Sequence, residues 1–248
     1  MRLISRIDLK SDKFIKSIQM EGLRDVGDPK LFANRYYKQG INELIIVDCS
    51  ASWFGQEAMF EIIKNINKKI FIPTIIGGGI KNLNDCEKFF YSGADKLIIN
   101  TGAINKPDII DQIAKKYGSQ SLAVSIHYKY QNNNFELFKC FGREKVKIKI
   151  EDWINEILSR GAGEIIFCSI DKDGTGQGFD ENILKLIEKM RIKVPVIISG
   201  GFGKVEHLNV FKNYKKYVQG VSISKSFHYK EVPILQVKNI LNKYEFNE

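Results

Sequence analysis

Short, nearly continuous apolar runs alternate with amphipathic runs along the whole chain. The apolar runs fall at residues 3–8, 43–48, 70–76, 96–99, 122–126, 164–169, 194–198 and 220–223. Unbroken rather than alternating hydrophobicity marks strands buried on both faces, as in parallel sheets. The intervening stretches carry helix signals. Asp28-Pro29 opens a predicted helix toward Gln39, Asn82 opens one toward Ser92, and Pro107 starts one that stops near Gly118. Asp180 caps another, in which Ile183, Leu186, Ile187 and Met190 share a face. Eight strand–helix units predict an α/β fold: a single (β/α)8 barrel domain over residues 1–248. A doubly wound open sheet would place a GxGxxG fingerprint after the first strand, and the chain has none there.

The pattern also repeats. Ile72-Pro73-Thr74-Ile75-Ile76-Gly77-Gly78-Gly79-Ile80 returns as Val194-Pro195-Val196-Ile197-Ile198-Ser199-Gly200-Gly201-Phe202. One copy lies in each half, so the barrel is expected to be two four-unit halves. Two segments break the regularity. Residues 9–27 read as a long basic loop after the first strand. In residues 128–149, Tyr128-Lys129-Tyr130 and Phe135-Glu136-Leu137-Phe138 flank a Gln131–Asn134 turn, predicting a hairpin. Both segments follow the first strand of a half and belong at the mouth of the barrel.

Composition narrows the class. At 248 residues, 44% hydrophobic and 27% charged, the chain has the composition of an ordinary soluble globular protein. No apolar run approaches membrane-spanning length, and the start Met1-Arg2-Leu3-Ile4-Ser5-Arg6 is too charged for a signal segment, so a cytoplasmic location with no membrane partner is expected. Cys49, Cys86, Cys140 and Cys168 form no CxxC pair, and no His, Asp or Glu spacing fits a metal, so neither a metal nor another cofactor is expected. The net charge of +9 favours an anionic ligand. Its Lys and Arg are dispersed rather than interleaved with aromatics in a block, which argues against nucleic acid and for a phosphorylated small molecule.

In a barrel, strand C-termini point into the reaction space. Those positions hold Asp8, Asp48, Gly79, Asn100-Thr101, His127, Asp173-Gly174, Gly200-Gly201 and Ser224-Lys225. Glycine clusters after strands let backbone N–H groups approach a phosphate. Gly79 with Asn100 and Thr101 makes one expected phosphate site. Asp173, Gly174, Gly200, Gly201, Ser224 and Lys225 make the other, so a ligand with a phosphate at each end is expected. Asp8 and His127 close equivalent strands of the two halves and read as an acid–base pair across the mouth. His207 and His228 read as structural or solvated histidines.

Several segments together resemble one family: Gly22-Leu23-Arg24-Asp25-Val26-Gly27-Asp28-Pro29, Gly77-Gly78-Gly79-Ile80, Gly93-Ala94-Asp95-Lys96, Gly161-Ala162-Gly163-Glu164, Asp171-Lys172-Asp173-Gly174-Thr175 and Ser199-Gly200-Gly201. The chain is similar over nearly its whole length to the cyclase subunits of imidazole glycerol phosphate synthase. That resemblance implies a (β/α)8 barrel, and a heterodimer with a glutaminase docked on the opposite face. Ammonia would pass along the barrel axis to a bisphosphorylated aminoimidazole carboxamide ribotide. The products would be imidazole glycerol phosphate and aminoimidazole carboxamide ribotide. It implies an ammonia gate at Arg2, Glu43, Lys96 and Glu164, a substrate-engaging Lys16 and a further polar position at Asp48.

Two residues depart from the family pattern. His127 stands where a second catalytic aspartate is expected, and Lys225 replaces a small residue. A related reading is a paralogue that channels ammonia to another acceptor, such as acetamidino modification of a surface-polysaccharide nucleotide sugar.

Overall fold

The computed structural model describes residues 1–51 and 57–244. Twelve strands are seen among them: β1 (Arg2–Lys10), β2 (Lys13–Ile18), β3 (Glu21–Gly27), β4 (Glu43–Asp48), β5 (Thr74–Gly77), β6 (Lys96–Ile99), β7 (Leu122–Gln131), β8 (Asn134–Lys139), β9 (Glu144–Val146), β10 (Glu164–Ser169), β11 (Val196–Ser199) and β12 (Gly220–Ile223). Eight of them, β1, β4, β5, β6, β7, β10, β11 and β12, pair in parallel in that order. Pairing of β12 with β1 closes the ring. Helices fall between the strands, giving a (β/α)8 barrel.

The apolar strand pattern has a direct structural cause. Ile4, Ile45, Ile75, Ile98, Ala123, Ile166 and Ile197 pack together inside the barrel. Their sequence neighbours Leu3, Leu44, Ile46, Ile76, Leu97, Val124, Ile165 and Ile198 pack outward against the helices. Alternate residues of a strand face opposite sides, so both sides must be apolar.

Helix boundaries follow their caps. The Asp28 side chain accepts from Lys30 N before the helix Pro29–Lys38. Asn82 and Asp85 form a reciprocal capping box at Leu83–Tyr91. Asp180 accepts from Asn182 N at Glu181–Met190, where Ile183, Leu186 and Ile187 are buried and Met190 is half-buried at the end. Pro107 precedes Asp108–Tyr117, which stops at Gly118 with φ +87°.

Three boundaries differ from expectation. The apolar runs at 70–76 and 194–198 become strands only from Thr74 and Val196, just after Pro73 and Pro195. Proline has no N–H for the ladder, although its carbonyl is used: Leu44 N donates to Pro73 O and Ile165 N to Pro195 O. The strand expected over 122–126 continues to Gln131, so His127 lies within it, opposite both Cys168 and Phe138.

The segment 9–27 is ordered sheet rather than loop. β1 folds back on β2, and β2 on β3, with all these pairings antiparallel. Gln19 and Met20 sit at φ 53° and 61° between β2 and β3, the left-handed conformation of a tight hairpin turn. The second hairpin is as expected: β7 and β8 meet at Asn132-Asn133, at φ 52° and 57°.

Candidate active site

Along β1 the inward positions are Arg2, Ile4, Arg6 and Asp8, so this strand contributes at every depth of the barrel. At the floor, Arg2 donates to Glu43 at 2.8 Å and to Glu164, and Lys96 donates to the other Glu164 oxygen at 2.7 Å. The four expected gate residues are thus brought together. Glu164 is 2% exposed and bridges the two cations, while Glu43 Oε2 is buried without a partner among the described residues. Above this layer lies the ring of apolar side chains around Ile4.

Among the described residues, two cavities open at the mouth. The larger, about 420 Å³, lies over the N-terminal half and is lined by Asp48, Gly79, Asn100, Thr101 and His127, with Lys81 and Lys106 at its rim. The smaller, about 10 Å³, lies over the C-terminal half, between Asp8, Asp173 and Gly200. Arg6 and Phe141 are the residues common to both.

The two glycine turns are built alike. Gly78 and Gly79 have φ +126° and +65°, Gly200 and Gly201 +98° and +108°. A Cβ on Gly78 would lie 2.5 Å from Asp48 O, and one on Gly200 2.8 Å from Ser169 O. In each half the turn therefore packs on the end of the preceding barrel strand, which needs glycine twice over.

The expected residues of the first phosphate site share the larger cavity. There the Asn100 side chain donates to Ser125 O at 2.9 Å, and Thr101 Oγ1 accepts from Cys140 N at 2.9 Å. Asp48 Oδ1 accepts from Ser50 N and Ser50 Oγ, both at 2.7 Å, and burial raises its pKa against these hydrogen bonds.

Of the expected second site, Asp173 and Gly200 line the smaller cavity, while Gly174, Gly201, Ser224 and Lys225 do not. Lys16 is 4% exposed and reaches both Asp173 oxygens, and Gln19 N donates to Asp173 O at 2.8 Å. A Cβ on Gly174 would meet Ser17 O. The β2–β3 hairpin thus rests on the loop after β10. Lys225 pairs with Glu231 at 3.2 Å, beside Ser224.

Asp8 and His127 are not brought into contact. Asp8 Oδ1 accepts from Arg6 Nε at 2.7 Å, with both side chains about 95% buried. Arg6 Nη1 also donates to Cys168 Sγ at 3.4 Å. His127 lines the larger cavity and Asp8 the smaller. Burial, and then the nearby Arg6 charge, lowers the His127 pKa to about 3, so its ring is neutral at physiological pH. Its Nδ1 is sealed in the wall without a partner among the described residues.

His228 is structural, as expected. It lies 2.5 Å from Tyr36 Oη, and its ring packs edge-on to Phe14. His207 Nδ1 accepts from Gly203 N at 3.2 Å.

Four site residues escaped the reading of strand ends. Arg6 sits mid-strand, Lys81 lies two residues past Gly79 of the first glycine turn, Lys106 follows the short helix after β6, and Phe141 lies in the β8–β9 turn. Phe141 and its neighbour Cys140 have φ 53° and 52°, an uncommon conformation for such residues, at the edge of both cavities.

Comparison with known proteins agrees with this architecture. The histidine biosynthesis protein family matches residues 2–233. The imidazole glycerol phosphate synthase subunit HisF of Legionella pneumophila is 42% identical over 210 residues, 84% of this chain and 99% of that protein. The HisF subunits of Bacillus subtilis (strain 168) and Thermotoga sp. (strain RQ2) are each 36% identical, over 99% of this chain and 98% and 96% of theirs. With these matches over a closed eight-stranded barrel, the chain belongs to the histidine biosynthesis protein family and is of the HisF type.

Proposed function

We propose that this protein is the cyclase subunit of an imidazole glycerol phosphate synthase, working in the cytoplasm with a glutaminase subunit. It uses ammonia to convert the bisphosphorylated ribotide to imidazole glycerol phosphate and aminoimidazole carboxamide ribotide. The observation that carries this reading is the cluster of Arg2, Glu43, Lys96 and Glu164 at the floor of the same barrel whose mouth holds the cavities. Charges aimed into a barrel axis are costly unless paired. Paired across the floor, they form a plug that opens when its ion pairs part.

The mouth supports the rest of the reading. Gly79, Asn100, Thr101, Lys81 and Lys106 surround the larger cavity and suit one phosphate. Asp173, Gly200 and the neighbouring Gly201 and Ser224 offer the second half-site, with Lys16 as its cation. Asp8 keeps Oδ2 available for proton transfer, because Oδ1 is the atom bound by Arg6. Neutral His127 accepts a hydrogen bond but does not supply charge.

The test is turnover of the bisphosphorylated ribotide by purified protein with an ammonium salt, followed by loss of absorbance. Ammonium removes the need for the glutaminase. Turnover supports the reading; its absence at saturating ribotide overturns it.

A further inference from the structure

A ligand anchored in both halves must cross the residues that the two cavities share, Arg6 and Phe141. Arg6 brings a permanent charge to that crossing point. Its fork is only partly used. Nε is taken by Asp8 and Nη1 by Cys168, while Nη2 has no hydrogen-bond partner among the described residues and is not sealed in the wall. The side chain is otherwise enclosed and held at Nε and Nη1, so it is set in place before a ligand arrives. His127 presents the complementary group. Its Nδ1 is sealed, which leaves Nε2 as the ring nitrogen open to the cavity.

We propose that Arg6 is a catalytic residue, its free Nη2 donating to the carbonyl oxygen of the carbon that ammonia attacks. This rests on the ammonia-dependent reaction proposed above. The ammonia lone pair forms the C–N bond, and the C=O π pair moves onto oxygen, where the guanidinium meets the growing negative charge. His127 Nε2 accepts a hydrogen bond from ammonia and aims its lone pair at the carbon. Asp8 Oδ2 carries two protons in turn from nitrogen to oxygen, the first giving the carbinolamine and the second releasing its hydroxyl. That oxygen leaves as water, so a carbonyl and ammonia give an imine and water.

The geometry also gives the pairing with Asp8 a purpose. An isolated guanidinium here would be free to swing onto a ligand phosphate. Held at Nε, it offers Nη2 to the middle of the ligand rather than to its ends.

The experiment compares the parent with Arg6→Lys and Arg6→Met at saturating ammonium. Arg6→Lys keeps a cation beside Asp8, so it remains informative where Arg6→Met fails to fold. Removing one preformed donor to a developing oxyanion costs about 10²–10³ in kcat. We expect that loss in kcat from Arg6→Lys, with KM for the ribotide within about threefold, because the phosphate contacts are untouched. Guanidinium ion added to Arg6→Ala is expected to restore part of kcat. A kcat for Arg6→Lys within about threefold of the parent, or a loss carried by KM alone, overturns the proposal. A parent without turnover sinks the proposed function instead, so the two failures are distinguishable.

Discussion

Lys16 Nζ lies 2.7 and 3.0 Å from the two carboxylate oxygens of Asp173, across 157 residues of sequence. This contact fastens the β2–β3 hairpin to the loop after β10 over the smaller cavity. A charge-assisted pair this enclosed is worth about 1.5–3 kcal/mol. Lys16→Met is therefore expected to raise KM for the ribotide by at least about tenfold. Hydrogen exchange in residues 13–27 should speed up in the same variant. Unchanged exchange there would show that the hairpin is held by its sheet pairing alone.

The floor cluster separates two sources of ammonia. Glu164→Gln removes the anion shared by Arg2 and Lys96 and leaves Glu43, the partner of Arg2, as the remaining anion of the cluster. We expect glutamine-dependent turnover with a glutaminase subunit to fall at least about tenfold, while turnover on ammonium salt changes less than about threefold. Breaking the pair should also cost about 2 kcal/mol, reduced from the fully buried case because Arg2 and Lys96 keep some exposure. Equal losses from both ammonia sources would place the effect on the barrel as a whole.

Two buried histidines give stability a definite pH dependence. Burial lowers His127 to about 3, and lowers His228 well below its usual value. Below about 6.5 the unfolded chain takes up these protons and the folded chain does not, so acid favours unfolding. Their contribution is fully present above pH 6.5 and is lost as pH falls below it, for His127 down to about 3, at up to about 1.4 kcal/mol per pH unit for each ring. Denaturant titrations between pH 7 and 4 should show His127→Gln with a shallower slope than the parent. Identical slopes would remove His127 from the account.

Glycine substitutions should separate strained positions from merely loose ones. Gly78 combines φ +126° with a Cβ position crowded by Asp48 backbone. Gly22, at φ +62°, has nothing within 4 Å of its Cβ position. Gly22→Ala should cost about 1 kcal/mol, the backbone term alone. Gly78→Ala should cost more than about 3 kcal/mol and move the loop that carries Asp48. Thermal unfolding of the two variants measures the difference.

The barrel was legible because its physics is local. Strands buried on two faces must be apolar throughout, and Asp28, Asn82 and Asp180 mark helix starts by chemistry that acts within three residues. The Asn132-Asn133 hairpin was legible for the same reason. The hairpin after β1 was not, because its left-handed turn falls on Gln19 and Met20 rather than on Asn or Gly, and its lysines masked the buried Phe14 and Ile15.

At the mouth, glycine turns and strand ends announced their positions. Arg6 did not, because attention to strand ends passes over the middle of a strand. The available signal was a charge at an inward position of an otherwise apolar strand. The separation of Asp8 from His127 could not be read from symmetry, since symmetry says nothing of the cation lodged beside Asp8.

Arg2, Ile4, Arg6 and Asp8 share one inward row because side chains along a strand alternate. Insertions and deletions are therefore unlike substitutions here. Exchanging one of the four alters a single depth of the barrel. Losing one residue between Arg2 and Asp8 turns the row outward on one side of the break. Floor plug, apolar wall and mouth would then lose their register together. The number of residues between positions 2 and 8 is thus a constraint that the fold places on this chain as a whole, separate from the identity of any one side chain it carries.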